Sequence, residues 1–311
     1  MARIFAGKRI VLGVTGGIAA YKVVELARGL TVQGATVDVM LTRAAREFVT
    51  PLTFQTLTRR PVRTEVIEQW TDADQGHVSL GLNADLIAVA PATAHAIAKI
   101  ANGLADDMLT VSILASPAPL LIAPAMDHHM FVNQATQENL ARLQQRGAII
   151  VGPEEGPLAS GLIGKGRLAP VRQIEGMMRS VLGSAGPLAG RKVVVSAGPT
   201  REPLDPIRYL SNRSSGKMGY AIAQAAVDAG ASTTLITGTT SIDPPVGCLV
   251  QEVSSAHEMN LAVQQQVIDA DILIMAAAVA DYRPVDVAPE KIKKNEGPLV
   301  LELERTVDIL A

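Results

Sequence analysis

Two uninterrupted apolar runs, residues 86–91 and 272–277, each preceded by Ala-Asp, end in small residues, and each follows a strand–helix–strand pattern. Strands that are apolar on both faces must be covered on both faces, as parallel strands flanked by helices are. In the first half, Lys8 and Arg9 precede a β-branched run at 10–14. A glycine turn at Gly16 and Gly17, helical spacing over 18–30, Gly34-Ala35 and a second strand at 36–41 follow. In the second half, Arg191 and Lys192 precede a run ending in a turn at Gly198; a helical pattern over 220–228, Gly230-Ala231 and a strand at 232–236 come after it. This alternation predicts an α/β fold class built as two Rossmann-like, doubly wound domains.

A length of 311 residues exceeds the roughly 100–200 residues of one domain and agrees with two. Residues 170–182 have helical spacing, and 183–190 then supply helix breakers without a hydrophobic pattern. The boundary is expected near Leu188, giving domains 1–188 and 189–311. Only 3% of residues are aromatic against 48% hydrophobic, so the cores are expected to pack with Ala, Val, Ile and Leu. A formal charge of -2 without a Lys/Arg block argues against a nucleic-acid partner. The apolar stretch 111–126 contains Pro117, Pro119 and Pro124 and is shorter than the ~20 residues of a membrane span. It reads as buried strand and loop, with no membrane partner. Charges at Arg3, Lys8 and Arg9 break the run a signal peptide needs, and one cysteine, Cys248, cannot pair internally. A cytoplasmic location is therefore expected.

The turn at Gly16 and Gly17 leads straight into a helix, where free N–H groups and the helix dipole face any ligand. An anionic phosphate suits it; a plain tight turn is the alternative. Neither glycine turn completes the dinucleotide fingerprint, which makes a nicotinamide dehydrogenase a distant reading. Thr93, in the loop 90–94 at the end of the next buried strand, could bond a phosphate or a ring edge, or simply cap a helix. His77 by itself reads as a loop histidine.

Residues 16–22, 77–80, 90–94 with 97–101, 105–107 and 124–130 resemble, in order, the homo-oligomeric FMN-containing cysteine decarboxylases, over nearly all of 1–182. The resemblance implies a flavodoxin-like FMN domain, trimeric, with the flavin at a subunit interface and held by Gly16, Gly17, Ile18, Ala19, Thr42 and Thr93. His77 would be the catalytic base, with an ordinary pKa near ~6.5 that suits both protonation states. Met126, Gly161 and Arg167 would bind substrate, and the flavin would act as the electron sink of an oxidative decarboxylation. Two catalytic positions depart from the family pattern. Asp127 stands where the family has an asparagine that holds the substrate carboxylate, and two charges ~4 Å apart repel by roughly 4 kcal/mol at an effective dielectric of ~20. Ser160 stands where a flexible clamp carries a proton-returning cysteine, and a hydroxyl does not readily replace a thiol with pKa near ~8.5. An impaired decarboxylase is expected.

In the second half, residues 196–208 carry Pro199, Pro203 and Pro206 and read as a shaped loop that lines a pocket. Gly216 and Lys217 suggest a P-loop without completing one. With residues 210–219, 276–284 and 291–294, these segments closely resemble the bacterial phosphopantothenate–cysteine ligase domain. The whole chain thus resembles the bifunctional decarboxylase/ligase family of coenzyme A biosynthesis. The resemblance implies CTP as cosubstrate, with Mg2+ expected, forming an acyl-cytidylate from phosphopantothenate that the cysteine amine attacks, in a dimeric ligase domain. Asn212 would stabilise the acyl intermediate and Lys291 would neutralise phosphate charge. Met275, Ala276, Ala277, Asp281, Val307, Asp308, Ile309 and Leu310 would contact the nucleotide, and Arg208 the substrate. Members of that family run past residue 311, so the chain reads as C-terminally truncated. Residues 299–303 are expected as a strand and 306–311 as the first turn of a helix capped by Thr306. Asp127 and Ser160 also support a second reading, a noncatalytic flavin-binding scaffold or regulatory subunit.

Overall fold

The computed structural model describes residues 4–66, 76–294 and 296–311. They form two compact units that divide between Leu182 and Gly183. The first unit runs β1 (Arg9–Val14), α1 (Ala20–Val32), β2 (Thr36–Leu41), α2 (Pro51–Thr58), α3 (His77–Leu82), β3 (Leu86–Ala92), α4 (Ala94–Asn102) and α5 (Met108–Leu114). It continues with β4 (Leu120–Pro124), α6 (His128–Val132), α7 (Gln134–Gln145), β5 (Ile149–Ile150), β6 (Glu154–Pro157), β7 (Ile163–Arg167) and α8 (Val171–Gly183). Strands β1 to β5 make one parallel sheet in the order β2-β1-β3-β4-β5. β6 and β7 form a separate antiparallel hairpin.

Successive side chains of a strand face opposite ways, and the sheet accordingly has a core on each side. Leu12 and Val14 pack with Leu26 and Leu30 on one, and Val11, Ile87 and Val89 pack with Ile97 and Leu109 on the other. Because β1 is followed by a strand on one side and then by one on the other, a crevice opens beyond the carboxyl ends of β1 and β3. Open α/β sheets of this order bind ligands there. Thr15, buried at that point, clasps the two strand ends: its hydroxyl donates to the Pro91 carbonyl at 2.7 Å and accepts from the Thr93 amide at 3.0 Å.

Two local expectations are corrected. The first helix is offset from 18–30 to Ala20–Val32, which leaves 16–19 as irregular backbone. The apolar stretch 111–126 is strand only over Leu120–Pro124; its start is the last part of α5, whose N-terminus is set by the reciprocal capping of Asp107 and Thr110. Capping and tertiary burial outweigh β-branched content there.

The second unit contains β8 (Lys192–Ala197), β9 (Arg201–Pro203), β10 (Tyr209–Ser211), α9 (Lys217–Asp228), β11 (Ser232–Thr237), β12 (Cys248–Glu252), α10 (Ala256–Val267), β13 (Ile272–Met275), β14 (Tyr282–Pro284) and β15 (Leu303–Arg305). Its parallel sheet has the order β12-β11-β8-β13, and β9–β10 and β14–β15 are antiparallel pairs. The breaker-rich stretch after α8 packs with this unit, the Leu188 amide donating to the Ala229 carbonyl at 2.8 Å. The chain end differs from expectation. The strand lies at Leu303–Arg305, not 299–303, where it pairs with β14, and no helix forms over 306–311. Thr306 spends its hydroxyl on the Ala280 carbonyl at 2.6 Å and its amide on Asp281, while Ile309 is buried in the core beside Met259 and Val263. Tertiary bonds thus replace the cap. Among the described residues no helix is long and apolar enough to cross a membrane.

Thr15→Val keeps the shape of the clasp but strips the Thr93 amide of its acceptor. Urea denaturation is expected to give a loss of about 1–3 kcal/mol.

Candidate functional site

The offset of α1 has a chemical result. The amides of Gly16, Gly17, Ile18 and Ala19 precede the hydrogen-bonded part of the helix, and among the described residues they have no partner within the protein. All four residues line a cavity of about 470 Å3 at the crevice beyond β1 and β3. Gly16 owes its place to close packing: a Cβ there would come within 2.8 Å of the Ala44 carbonyl carbon. Thr93 lines the same cavity while capping α4, its hydroxyl accepting from the Ala96 amide at 3.3 Å. Both readings of Thr93 hold together. Ala125, Met126, Met130, Leu158 and Leu168 supply apolar walls, and Arg167 a positive charge.

Thr42 is elsewhere. It caps the short turn Arg43–Glu47 by accepting from the Ala45 amide and lines a neighbouring cavity of about 830 Å3, which shares Gly16 and Thr93. Lys99 also lines that cavity and is nearly buried. Burial works against its charge, but bonds to Asp106 and Asp107 outweigh this and raise its pKa. Gly161 is exposed in the turn between β6 and β7 and does not line the first cavity. His77 begins α3, and its side chain lies outside the described residues.

Asp127 and Ser160, singled out separately by sequence, touch each other. The Ser160 hydroxyl donates to Asp127 Oδ2 at 2.5 Å, and Asp127 Oδ1 accepts from the His129 amide at 3.0 Å as the N-cap of α6. The serine hydroxyl first, and that amide second, hold the Asp127 carboxyl below its ordinary value. Both residues line the cavity, so an ionised carboxylate faces it. The hairpin β6–β7 carries Ser160 in its turn and brings it to Asp127, three residues beyond the end of β4. No spacing signal could have announced this.

In the second unit, Met275, Asp281, Val307, Asp308, Ile309 and Leu310 line a common cavity of about 510 Å3. Ala276 and Ala277 are not in its wall. Their amides donate to the buried Ser196 hydroxyl at 3.0 and 3.1 Å, fixing the chain as it leaves β13. The role of Ser196 was missed by sequence, where it reads as the first residue of the shaped loop 196–208; the structure places it within β8. The Asn212 side-chain amide donates to the carbonyls of Ala278 and Val279 at 3.3 and 3.1 Å, which places it against the same turn. Lys291 is exposed and outside that cavity, and Arg208 is engaged by Asp205 at 2.6 Å.

Residues 3–183 match the Flavoprotein family, and residues 188–311 match the DNA/pantothenate metabolism flavoprotein C-terminal domain. The Coenzyme A biosynthesis bifunctional protein CoaBC of Vibrio vulnificus is 46% identical over 308 residues, 98% of this chain and 77% of that protein. That of Escherichia coli is 46% identical over 309 residues, 98% of this chain and 76% of that protein. The chain belongs to the CoaBC family. A solved PPC decarboxylase mutant complexed with pantothenoylaminoethenethiol is 30% identical, with a TM-score of 0.50 over 55% of this chain and 96% of its own. The chain thus combines both parts of a CoaBC protein, and in its first part Asp127 and Ser160 form one hydrogen-bonded pair.

Ser160→Ala removes the larger of the two influences on Asp127. Its pKa, followed by carbon-detected NMR of the carboxyl, is expected to rise toward the ordinary carboxylate range; the folded form then gives up part of its Asp127-linked stability at a higher pH than the parent does as pH falls.

Proposed function

We propose that this CoaBC-family chain works in coenzyme A biosynthesis, joining cysteine to 4'-phosphopantothenate with CTP in its second unit and decarboxylating phosphopantothenoylcysteine with FMN in its first. The observation that carries the flavin part is the set of four amides, at Gly16, Gly17, Ile18 and Ala19, that have no partner among the described residues and belong to the lining of a largely apolar cavity. These residues fit FMN: the amides at the start of α1 suit its phosphate, and Ile18, Met126 and Met130 suit its apolar surface. FMN, when bound, supplies the electron sink for oxidising the substrate's cysteine end.

The chain's own residues do the rest. His77 is proposed as the base that removes a proton, and Arg167 as the cation for the anionic substrate. The walls formed by Ala125, Leu158 and Leu168 exclude water. Asp127 opposes a substrate carboxylate, and Ser160 keeps its proton in the bond to Asp127, where it is poorly placed to be given away. Decarboxylation by the unaltered chain is therefore slow. Ile18 and Tyr21, large side chains 61% and 60% exposed beside the cavity, support a homo-oligomer, trimeric in this unit, with the flavin at the subunit boundary.

In the second unit, Asp281 and residues 307–310 are proposed to hold the nucleotide and Asn212 the acyl group. Lys291 is proposed to neutralise phosphate charge, and Arg208 to face the substrate with what its pairing to Asp205 leaves free. Tyr282, Val307 and Leu310, exposed around the paired β14 and β15, support a dimer. Among the described residues no group of three or more His, Cys, Asp or Glu is placed to hold a metal ion. Mg2+ is proposed to arrive with the triphosphate, as that ion commonly does. The substrates are small cytoplasmic metabolites, and the single cysteine accords with that compartment.

The deciding experiment is the absorption spectrum of the purified chain with added FMN, followed by single turnover of phosphopantothenoylcysteine. A yellow oligomer is expected from the parent. Gly16→Val drives a side chain into Ala44 and is expected to lose at least tenfold in FMN affinity. A colourless monomer that ignores FMN would overturn the flavin reading.

Asp127→Asn is expected to restore CO2 loss, but with poor conversion to phosphopantetheine. The double variant Asp127→Asn, Ser160→Cys is expected to complete the cycle, as read by product mass and flavin spectrum. Parent turnover equal to that of the double variant would show that the pair impairs nothing. Flavin binding without turnover in any variant would favour the noncatalytic scaffold.

A further inference from the structure

Residues 291–294 place three lysines on four residues of irregular chain, exposed and mutually repelling. Neither a helix nor a strand holds them. The segment is nevertheless tied at its centre: the Ile292 amide donates to Asp205 Oδ2 at 3.1 Å, and the Ile292 carbonyl accepts from Arg208 Nη2 at 3.0 Å. Just upstream, the Ala288 amide donates to the Leu204 carbonyl at 3.0 Å. The first two bonds join the lysine segment, and the third the chain just before it, to the proline-shaped loop 196–208.

Asp205 is the hub. Its side chain has no solvent exposure. Besides Ile292 it accepts from the amides of Ile207 and Arg208 at 2.9 and 2.8 Å, and from Arg208 Nε and Nη2 at 2.9 and 2.6 Å. A buried carboxylate with that many donors is ionised, and the Arg208 side chain beside it holds its carboxyl well below the usual range. One charge therefore sets the loop turn, orients the guanidinium and pins the lysine segment. An uncharged residue of the same size could not satisfy the same donors.

We propose that Asp205 is a positioning residue for the ligation reaction: through Ile292 it holds the main chain of 288–294 against the proline loop, so that the Lys291 ammonium is presented to the nucleotide's phosphates. The proposal rests on the CTP reading of the second unit for its functional half and on geometry alone for its structural half. Arg208 gains a bracing role between Asp205 and Ile292. It is a positioning contact in addition to the substrate role given to it above.

The test uses the full chain and its Asp205→Asn variant, with hydrogen exchange read by mass spectrometry and equilibrium binding of CTP with Mg2+. Peptides over 288–294 are expected to exchange on the order of tenfold faster in the variant, while β8 and β11 keep parent rates. CTP affinity is expected to fall by roughly tenfold. Lys291→Met should fall to a similar level, and the combined variant no further, because both changes act through one contact.

Unchanged exchange over 288–294 overturns the proposal, as does equal acceleration in β8 and β11, or additive losses of affinity in the combined variant. Arg208→Lys keeps a cation beside Asp205 but cannot bridge to Ile292. It is expected to show the same local acceleration, and decides the matter if Asp205→Asn does not fold. A parent that does not bind CTP overturns the nucleotide reading, while the exchange rates still decide whether Asp205 holds the lysine segment.

Discussion

Backbone amides between a strand and a helix belong to neither ladder, and each must find a partner elsewhere. In the first unit this constraint falls between Val14 and Ala20. Thr15 meets it with tertiary bonds to Pro91 and Thr93, which lock the ends of β1 and β3 together. The next four amides are left facing a cavity. The sheet order is what makes this spot open: chain flowing to β2 on one side and to β3 on the other leaves no helix above the gap. An anion is the natural partner for amides so placed.

The pair Asp127–Ser160 alters how the same cavity can be used. A carboxylate that accepts from a neighbouring hydroxyl and from a helix amide is stabilised in its charged form. In the function proposed above, that charge would oppose another carboxylate, while the serine proton is engaged by Asp127. The two positions are therefore one electrostatic unit, and altering either changes the environment of the other. The hairpin that carries Ser160 also packs its Gly164 against the His128 ring, with His128 Nδ1 3.2 Å from the Lys165 carbonyl. The pair thus sits in an ordered contact between the hairpin and α6.

The second unit solves a related problem with side chains. Ser196 holds the amides of Ala276 and Ala277, Thr200 holds that of Ala280 at 2.9 Å, and Asn212 donates to the carbonyls between them. The turn after β13 is thereby fixed from three directions before Asp281 reaches its cavity. Asp205 does the same for the lysine segment. Polar groups that look incidental in sequence bring the proposed ligand-binding residues into place.

The amino-acid sequence by itself determined the fold class, the two-unit organisation, most strands of both sheets and the turn at Gly16 and Gly17. Those features arise from local periodicity and from residues adjacent in the chain, which a linear pattern records. It also carried the family resemblance, because long motifs such as residues 210–219 are specific without geometry. Tertiary structure alone decided that α1 starts at Ala20, so freeing four amides, and that 306–311 forms no helix, because Thr306 bonds Ala280 instead. It also decided which distant groups meet. Ser160 is 33 residues from Asp127, and Ile292 is 87 from Asp205. Contacts across such separations depend on how hairpins and loops close over a finished sheet, and no periodicity along the chain encodes that closure.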